Sequence, residues 1–202
     1  MPGPVSFLEP CMRSLTKVST EGAEPVTAAE LRAHVRAGSD QDTLLGTLIP
    51  RARMQAEQLC RRAIVDQTMR LTLDYFPACI ELPWGASEVD SVTYVDTDGN
   101  TQTLSSSIYR FDADSGRLTP SYGNVWPDIQ PVTGAVKVTY GAGWADDEVP
   151  EDIIAAIMML AGDLFSFTEE THETNLAPSG RVLDCLSPYM LDPLGLSLTG
   201  EG

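Results

Sequence analysis

Histidine and lysine are almost missing from this 202-residue chain, which holds only His34, His172, Lys17 and Lys137 of those two types. A Ser-His-Asp or Cys-His catalytic arrangement would have to use one of the two histidines. His34 lies in a capped amphipathic segment three residues beyond Leu31, a structural position. His172 stands among Glu169, Glu170 and Glu173 with no second histidine or cysteine nearby, so the pattern is that of a solvated acidic loop rather than a metal site. The competing functional class is a small metal-dependent or other enzyme built on His172 and that acidic cluster. The scarcity of lysine, with a net charge of −16, opposes tight binding to a phosphate backbone, which needs clustered cations.

Cysteine is sparse too. Cys11, Cys60, Cys79 and Cys185 are scattered with no C-x-x-C pair, which argues against a disulfide framework or a thiolate metal site and for reduced thiols. No apolar run approaches the roughly 18 residues that a membrane-spanning helix needs. Met1 to Pro10 lacks the basic flank and apolar stretch of a signal peptide, so the expectation is a soluble protein made in the cytoplasm, without a membrane partner. G-x-S-x-G and P-loop patterns are absent. Gly141-Ala142-Gly143 follows a strand, but no third glycine completes a dinucleotide fingerprint. Asp96-x-Asp98-x-Asn100 opens like a calcium loop, yet its glycine is at position 99 and Ser107 occupies the twelfth place, so a hairpin turn accounts for it. Neither cofactor nor metal nor catalytic residue is indicated, and the chain does not read as an enzyme.

What is present is uneven. Residues 145–202 carry twelve acids against one base, Arg181, for a charge of −11. Between Glu30 and Arg70, seven arginines stand against five acids, for +2. Residues 1–25 hold prolines and glutamates with little periodicity and read as a flexible or partner-dependent arm. Thr27-Ala28-Ala29-Glu30 is a capping box opening a short helix that carries Leu31 and Val35 and ends near Gly38. Leu45, Leu48, Ile49, Ala52, Ala56, Leu59, Cys60 and Ala63 mark a longer amphipathic helix, with Arg51, Arg53, Glu57, Arg61 and Arg62 mostly off its stripe. Pro50 inside it predicts a kink or a break into two helices.

From Gln67 the period becomes two, with Met69, Leu71 and Leu73 alternating against polar residues. Turn signals at Asp96–Asn100 and Asp114–Gly116 predict two hairpins, and Ala135 to Tyr140 alternates again. The middle of the chain reads as an antiparallel sheet of five or six short strands. Pro150, Glu151 and Asp152 then open a strongly apolar helix from Ile153 to Phe165, buried against sheet, helix or a neighbouring subunit. A short helix is predicted over Arg181 to Tyr189. The whole is α+β: a helical part (26–66), an inserted antiparallel β-subdomain (67–145), a helix completing the bundle with an acidic loop (146–180), and a terminal segment (181–202) matching the arm at the other end.

Two features point to assembly. The helix from Ile153 carries more apolar surface than one small sheet needs. The C-terminal segment offers Arg181, Leu183, Leu186, Tyr189, Met190, Leu191, Leu194 and Leu196 as a candidate docking surface for a partner, unless it folds back on its own core. A generic protein-interaction module is the third functional class.

A series of motifs resembles phage head–tail connector proteins, also called adaptor or head-completion proteins. It starts with Glu24-Pro25-Val26-Thr27-x-Ala29-Glu30-x-x-x-His34-x-Arg36 and Asp42-x-x-Leu45-x-x-Leu48-Ile49-x-x-Ala52-Arg53-x-x-x-Glu57. It continues through Gln67-Thr68-x-x-Leu71-x-Leu73-Asp74-x-Phe76-Pro77, Ser91-Val92-Thr93-Tyr94-Val95-Asp96-x-Asp98-Gly99 and Gly116-Arg117-Leu118-x-Pro120-x-Tyr122-Gly123-x-x-Trp126-Pro127. Val136-Lys137-Val138-Thr139-Tyr140-x-Ala142-Gly143, Pro150-Glu151-Asp152-Ile153 and Leu186-x-Pro188-Tyr189 complete it, covering residues 24–190. Each is bland alone; eight in one order are specific. The resemblance implies a non-enzymatic ring, typically a dodecamer, in the neck of a virion, a phage-like particle or a gene transfer agent. It implies a portal protein on one side, a tail or stopper/terminator protein on the other, and DNA passing through without specific binding. Asp146, Asp147, Glu148, Glu169, Glu170 and Glu173 are then the candidate channel-facing acids.

Overall fold

The computed structural model describes residues 13–169 and 179–191. Four helices, α1 (Ala28–Val35), α2 (Asp42–Cys60), α3 (Glu151–Glu169) and α4 (Gly180–Leu186), enclose one apolar core. The strands are β1 (Arg13–Thr20), β2 (Gln67–Leu73), β3 (Ile80–Glu81), β4 (Ala86–Val95), β5 (Thr101–Thr103), β6 (Tyr109–Asp112), β7 (Arg117–Pro120) and β8 (Val136–Ala142). They form a five-stranded sheet of order β1-β2-β8-β4-β5 and a three-stranded sheet of order β3-β7-β6, both antiparallel. The α+β class stands, but the single sheet expected from the sequence is divided in two. A second core, with Leu71, Val92, Leu118, Val138 and Tyr140 all fully buried, lies against these sheets.

The local signals act as their chemistry requires. Thr27 Oγ1 accepts from the Glu30 amide while Glu30 Oε2 accepts from the Thr27 amide at 2.8 Å, closing the capping box of α1. Asp96 Oδ1 accepts from the Asp98 and Asn100 amides and shapes the β4–β5 turn. In α3, Ile153, Ala156, Ile157, Leu160, Ala161 and Phe165 point into the helical core, so most of that helix's apolar surface is consumed within the chain. At Gly143, with φ +111°, a Cβ would run into the Val65 carbonyl, so only glycine lets β8 leave the sheet there.

Three expectations are corrected. Arg13–Thr20, read as part of a flexible arm, is the edge strand β1, paired with β2 from Arg13↔Leu73 to Thr20↔Gln67. A bulge between Lys17 and Ser19 shifts the register, so the strand lacks the alternation by which strands are recognised. Of the two outcomes expected at Pro50, a kink or a break, the break does not occur: α2 is one helix of 19 residues. The Pro50 ring faces the carbonyl of Gly46, one turn earlier in the helix. Arg53 and Glu57 do not lie off the buried face; they are 5% and 3% exposed.

Those two charges are buried as a hydrogen-bonded set. Arg53 Nη1 is 3.0 Å from Glu57 Oε2, and its Nε and Nη2 donate to the Glu24 carboxylate at 2.9 and 3.0 Å. Glu57 Oε1 accepts from the Ile64 amide at 3.0 Å and from Gln67 Nε2 at 3.2 Å. Burial works against the Arg53 charge, but the Glu24 hydrogen bond and the Glu57 and Glu24 charges together raise its pKa. Removing one partner of a buried pair leaves the other charge uncompensated, which costs about 3–5 kcal/mol. Glu57→Ala should therefore lower the unfolding free energy by about that amount in urea titrations, while Ala at the exposed Arg51 should change it by less than about 0.5 kcal/mol.

Candidate functional site

The C-terminal segment begins where the sequence places it. Ser179 caps α4, which runs directly into a 3-10 turn at Ser187–Tyr189. Val182 and Leu186 are fully buried in the helical core and Leu191 is 9% exposed, while the Leu191 amide donates to the Cys60 carbonyl at 2.9 Å. The segment thus folds back on its own chain through Leu186 and Leu191. Tyr189 and Met190 are half-buried against the same core. Arg181 and Leu183 face outward, Leu183 at 39% exposure. Leu194 and Leu196 lie outside the described residues.

A chain of ring contacts ties this segment to the end of α2. The Arg62 guanidinium sits 4.6 Å above the Trp144 ring, and Trp144 meets Tyr189 edge-on at 6.1 Å. The indole face offers the cation a favourable electrostatic contact, while burial lowers the Arg62 pKa. No sequence signal announced this set, because its members are more than forty residues apart and only the close approach of β8 to Val65 brings them together.

The candidate acids separate into different roles. Asp146 is exposed, yet its Oδ1 accepts from the Ala23 amide at 2.8 Å and pins the chain entering α1. The Glu21 and Gly22 amides donate to Asp66 O at 2.9 Å each, completing that anchor. Asp147 and Glu148 are exposed in the turn before α3. Glu169 ends α3, and Glu170, Glu173 and His172 lie outside the described residues. His34 is exposed on α1, beside a groove it shares with Asp163 and Ser166 of α3. Among the described residues no group of three or more His, Cys, Asp or Glu side chains could hold a metal ion, and no helix is long and apolar enough to cross a membrane.

With this geometry in view, comparison with solved structures is informative. No protein-family model matches the sequence, and no curated protein matches it. A chain in the neck of an empty gene transfer agent (GTA) particle, computed with C6 symmetry, superposes with a TM-score of 0.70 at 22% identity, covering 94% of this chain and 100% of that one. This chain has the fold of that neck chain. A chain in the virion of a native gene transfer agent particle gives a TM-score of 0.70 at 22% identity, over 92% of this chain and 98% of the other. A chain in the neck of a native GTA particle, computed with C12 symmetry, gives 0.66 at 22% identity, over 94% and 100%. Each match thus spans nearly the whole of both chains rather than a fragment.

The Cys60 carbonyl that receives Leu191 belongs to a residue whose thiol reports on this junction. Burial pushes the Cys60 thiol up to about 11 from an ordinary 9.0, against a smaller opposing effect of the Arg62 charge. Well below pH 9 the thiol is protonated in both states. Above it the unfolded chain ionises first, and stability is lost as pH rises towards about 11. Unfolding measured from pH 8 to 11 should show that decline, and Cys60→Ala should flatten its contribution.

Proposed function

We propose that this protein is a head–tail connector subunit that assembles into a ring in the neck of a phage-like particle. In this reading it docks on the portal protein on one side, offers a tail or stopper/terminator protein its attachment site on the other, and extends the DNA channel between them. The observation carrying the proposal is the full-length likeness to gene transfer agent neck chains, with TM-scores up to 0.70. The C6 and C12 symmetries of the necks containing those chains support a ring, with twelve copies the natural number. In this reading the role is geometric rather than catalytic.

Among the described residues of the C-terminal segment, Arg181 and Leu183 are the outward-facing candidates for docking, because Leu186 and Leu191 are spent on the chain's own core and Tyr189 and Met190 are half-buried. Truncation at Gly180 would strip that core, so point substitutions are the proper test. Electron microscopy of the protein mixed with its portal should show a ring stacked on the portal. The pair Arg181→Glu with Leu183→Asp should weaken binding at least tenfold without changing the melting temperature. A mixture that shows no ring, or full binding by the double variant, would count against this assignment.

The exposed acids Asp147 and Glu148 are proposed to face the channel, where like charge keeps DNA from adhering. A ring reconstruction should place both carboxylates toward the axis; finding them on the outer rim would remove this part of the proposal.

A further inference from the structure

Where β1 begins, a cavity of about 200 Å³ opens between Arg13, the end of β2 and the start of β3. Leu71, Leu73, Pro77 and Ile80 give it apolar walls, and the half-buried, free Cys79 lies among them. Arg13 is fixed at the rim, because its Nη2 donates to the Glu81 carbonyl. Beyond Leu73 the ladder loses its partner: β2 ends, and the chain turns through Pro77 and Cys79 into β3. The strand β1 therefore enters the sheet at the mouth of this cavity.

The register of β1 says which of its side chains share the cavity's side of the sheet. Arg13 pairs with Leu73, Leu15 with Leu71 and Lys17 with Met69. Directly paired residues lie on the same face, and Leu73, Leu71 and Met69 are all buried in the sheet core. Ser14 and Thr16 pair with Thr72 and Arg70 on the opposite face. The odd-numbered residues at the start of β1 are thus the core-facing ones, up to the bulge after Lys17.

We infer that this cavity is the docking site of the chain's own residues before Arg13, with the Cys11 side chain entering it beside Cys79. Covalent continuity names the occupant: the segment is tethered at the rim through Arg13, which gives it a local concentration that a free partner lacks. The alternation of β1, carried back two residues or about 6.8 Å, brings the core face round to Cys11. A thiol suits apolar walls, since cysteine behaves as a small hydrophobe and is among the most often buried residues. Pro10, which has no amide hydrogen, cannot extend the ladder and ends the docked stretch. Docking covers the open end of the sheet core and sets two thiols side by side. It stands independently of the connector reading.

The test uses the full-length chain, whose own cysteines report the contact. Diamide takes two electrons and two protons from a neighbouring thiol pair, leaving a disulfide and the corresponding hydrazine. A disulfide needs Cα atoms within about 7 Å of each other. Non-reducing peptide mapping of the oxidised, folded monomer should show a Cys11–Cys79 link as the main product, with Cys60 and Cys185 free. The same reagent in urea, where all four thiols are accessible, serves as the control and should give mixed pairings. Cys11→Asp should speed alkylation of Cys79 by iodoacetamide in the folded protein about fivefold or more, because thiol reactivity follows exposure. Cys11→Ala should leave that rate nearly unchanged, and both variants should keep the parent melting temperature. A folded monomer without the Cys11–Cys79 link overturns the inference, and so does a Cys79 reactivity that ignores Cys11→Asp. A link found only between copies overturns it in favour of a segment exchanged with a neighbour.

Discussion

The pairing of Arg53 with Glu57 holds three parts of the chain in register. Arg53 reaches back to Glu24 in the segment before α1, and Glu57 reaches forward to the Ile64 amide and Gln67 at the start of β2. Much of the contact between the helical core and the sheet core is apolar, which has no preferred direction. Forked guanidinium–carboxylate bonds do have one. The desolvation cost of both charges is offset only while all these bonds form together, so the set acts as an alignment device. The strand β2 starts where Glu57 fixes it, and β1 and β8 take their register from β2.

A second junction lies one turn further along α2. Arg61 ends the helix in a left-handed conformation, Arg62 turns onto Trp144, and the freed Cys60 carbonyl accepts from Leu191. The C-terminal segment is therefore clamped at its start by Val182 and near the end of its described part by Leu191. The outward-facing Arg181 and Leu183 thus sit on a helix seated in the core rather than on an unanchored tail.

Local chemistry made much of the fold legible. The capping box at Thr27, the turn at Asp96–Asn100 and the helix start at Pro150 each depend on a few adjacent residues, and each forms where the sequence places it. What stayed hidden depends on distant partners. β1 escaped because its bulge cancels the alternation of Leu15 and Val18. Arg53 and Glu57 sit one residue along from Ala52 and Ala56 at helical spacing, so their burial was open to inference, but nothing local named Glu24 or Gln67 as the partners that permit it. In the candidate docking segment, composition alone could not separate Leu186, buried in the core, from Leu183, facing out; helix phase against α3 decides that.

The two edges of the large sheet are each ill-suited to pairing with a strand of another chain. An exposed sheet edge invites open-ended backbone pairing, which a closed ring must avoid. Here β1 is bulged at Lys17 and carries charge, and β5 is only three residues long. Neither edge offers a long, flat ladder to another chain.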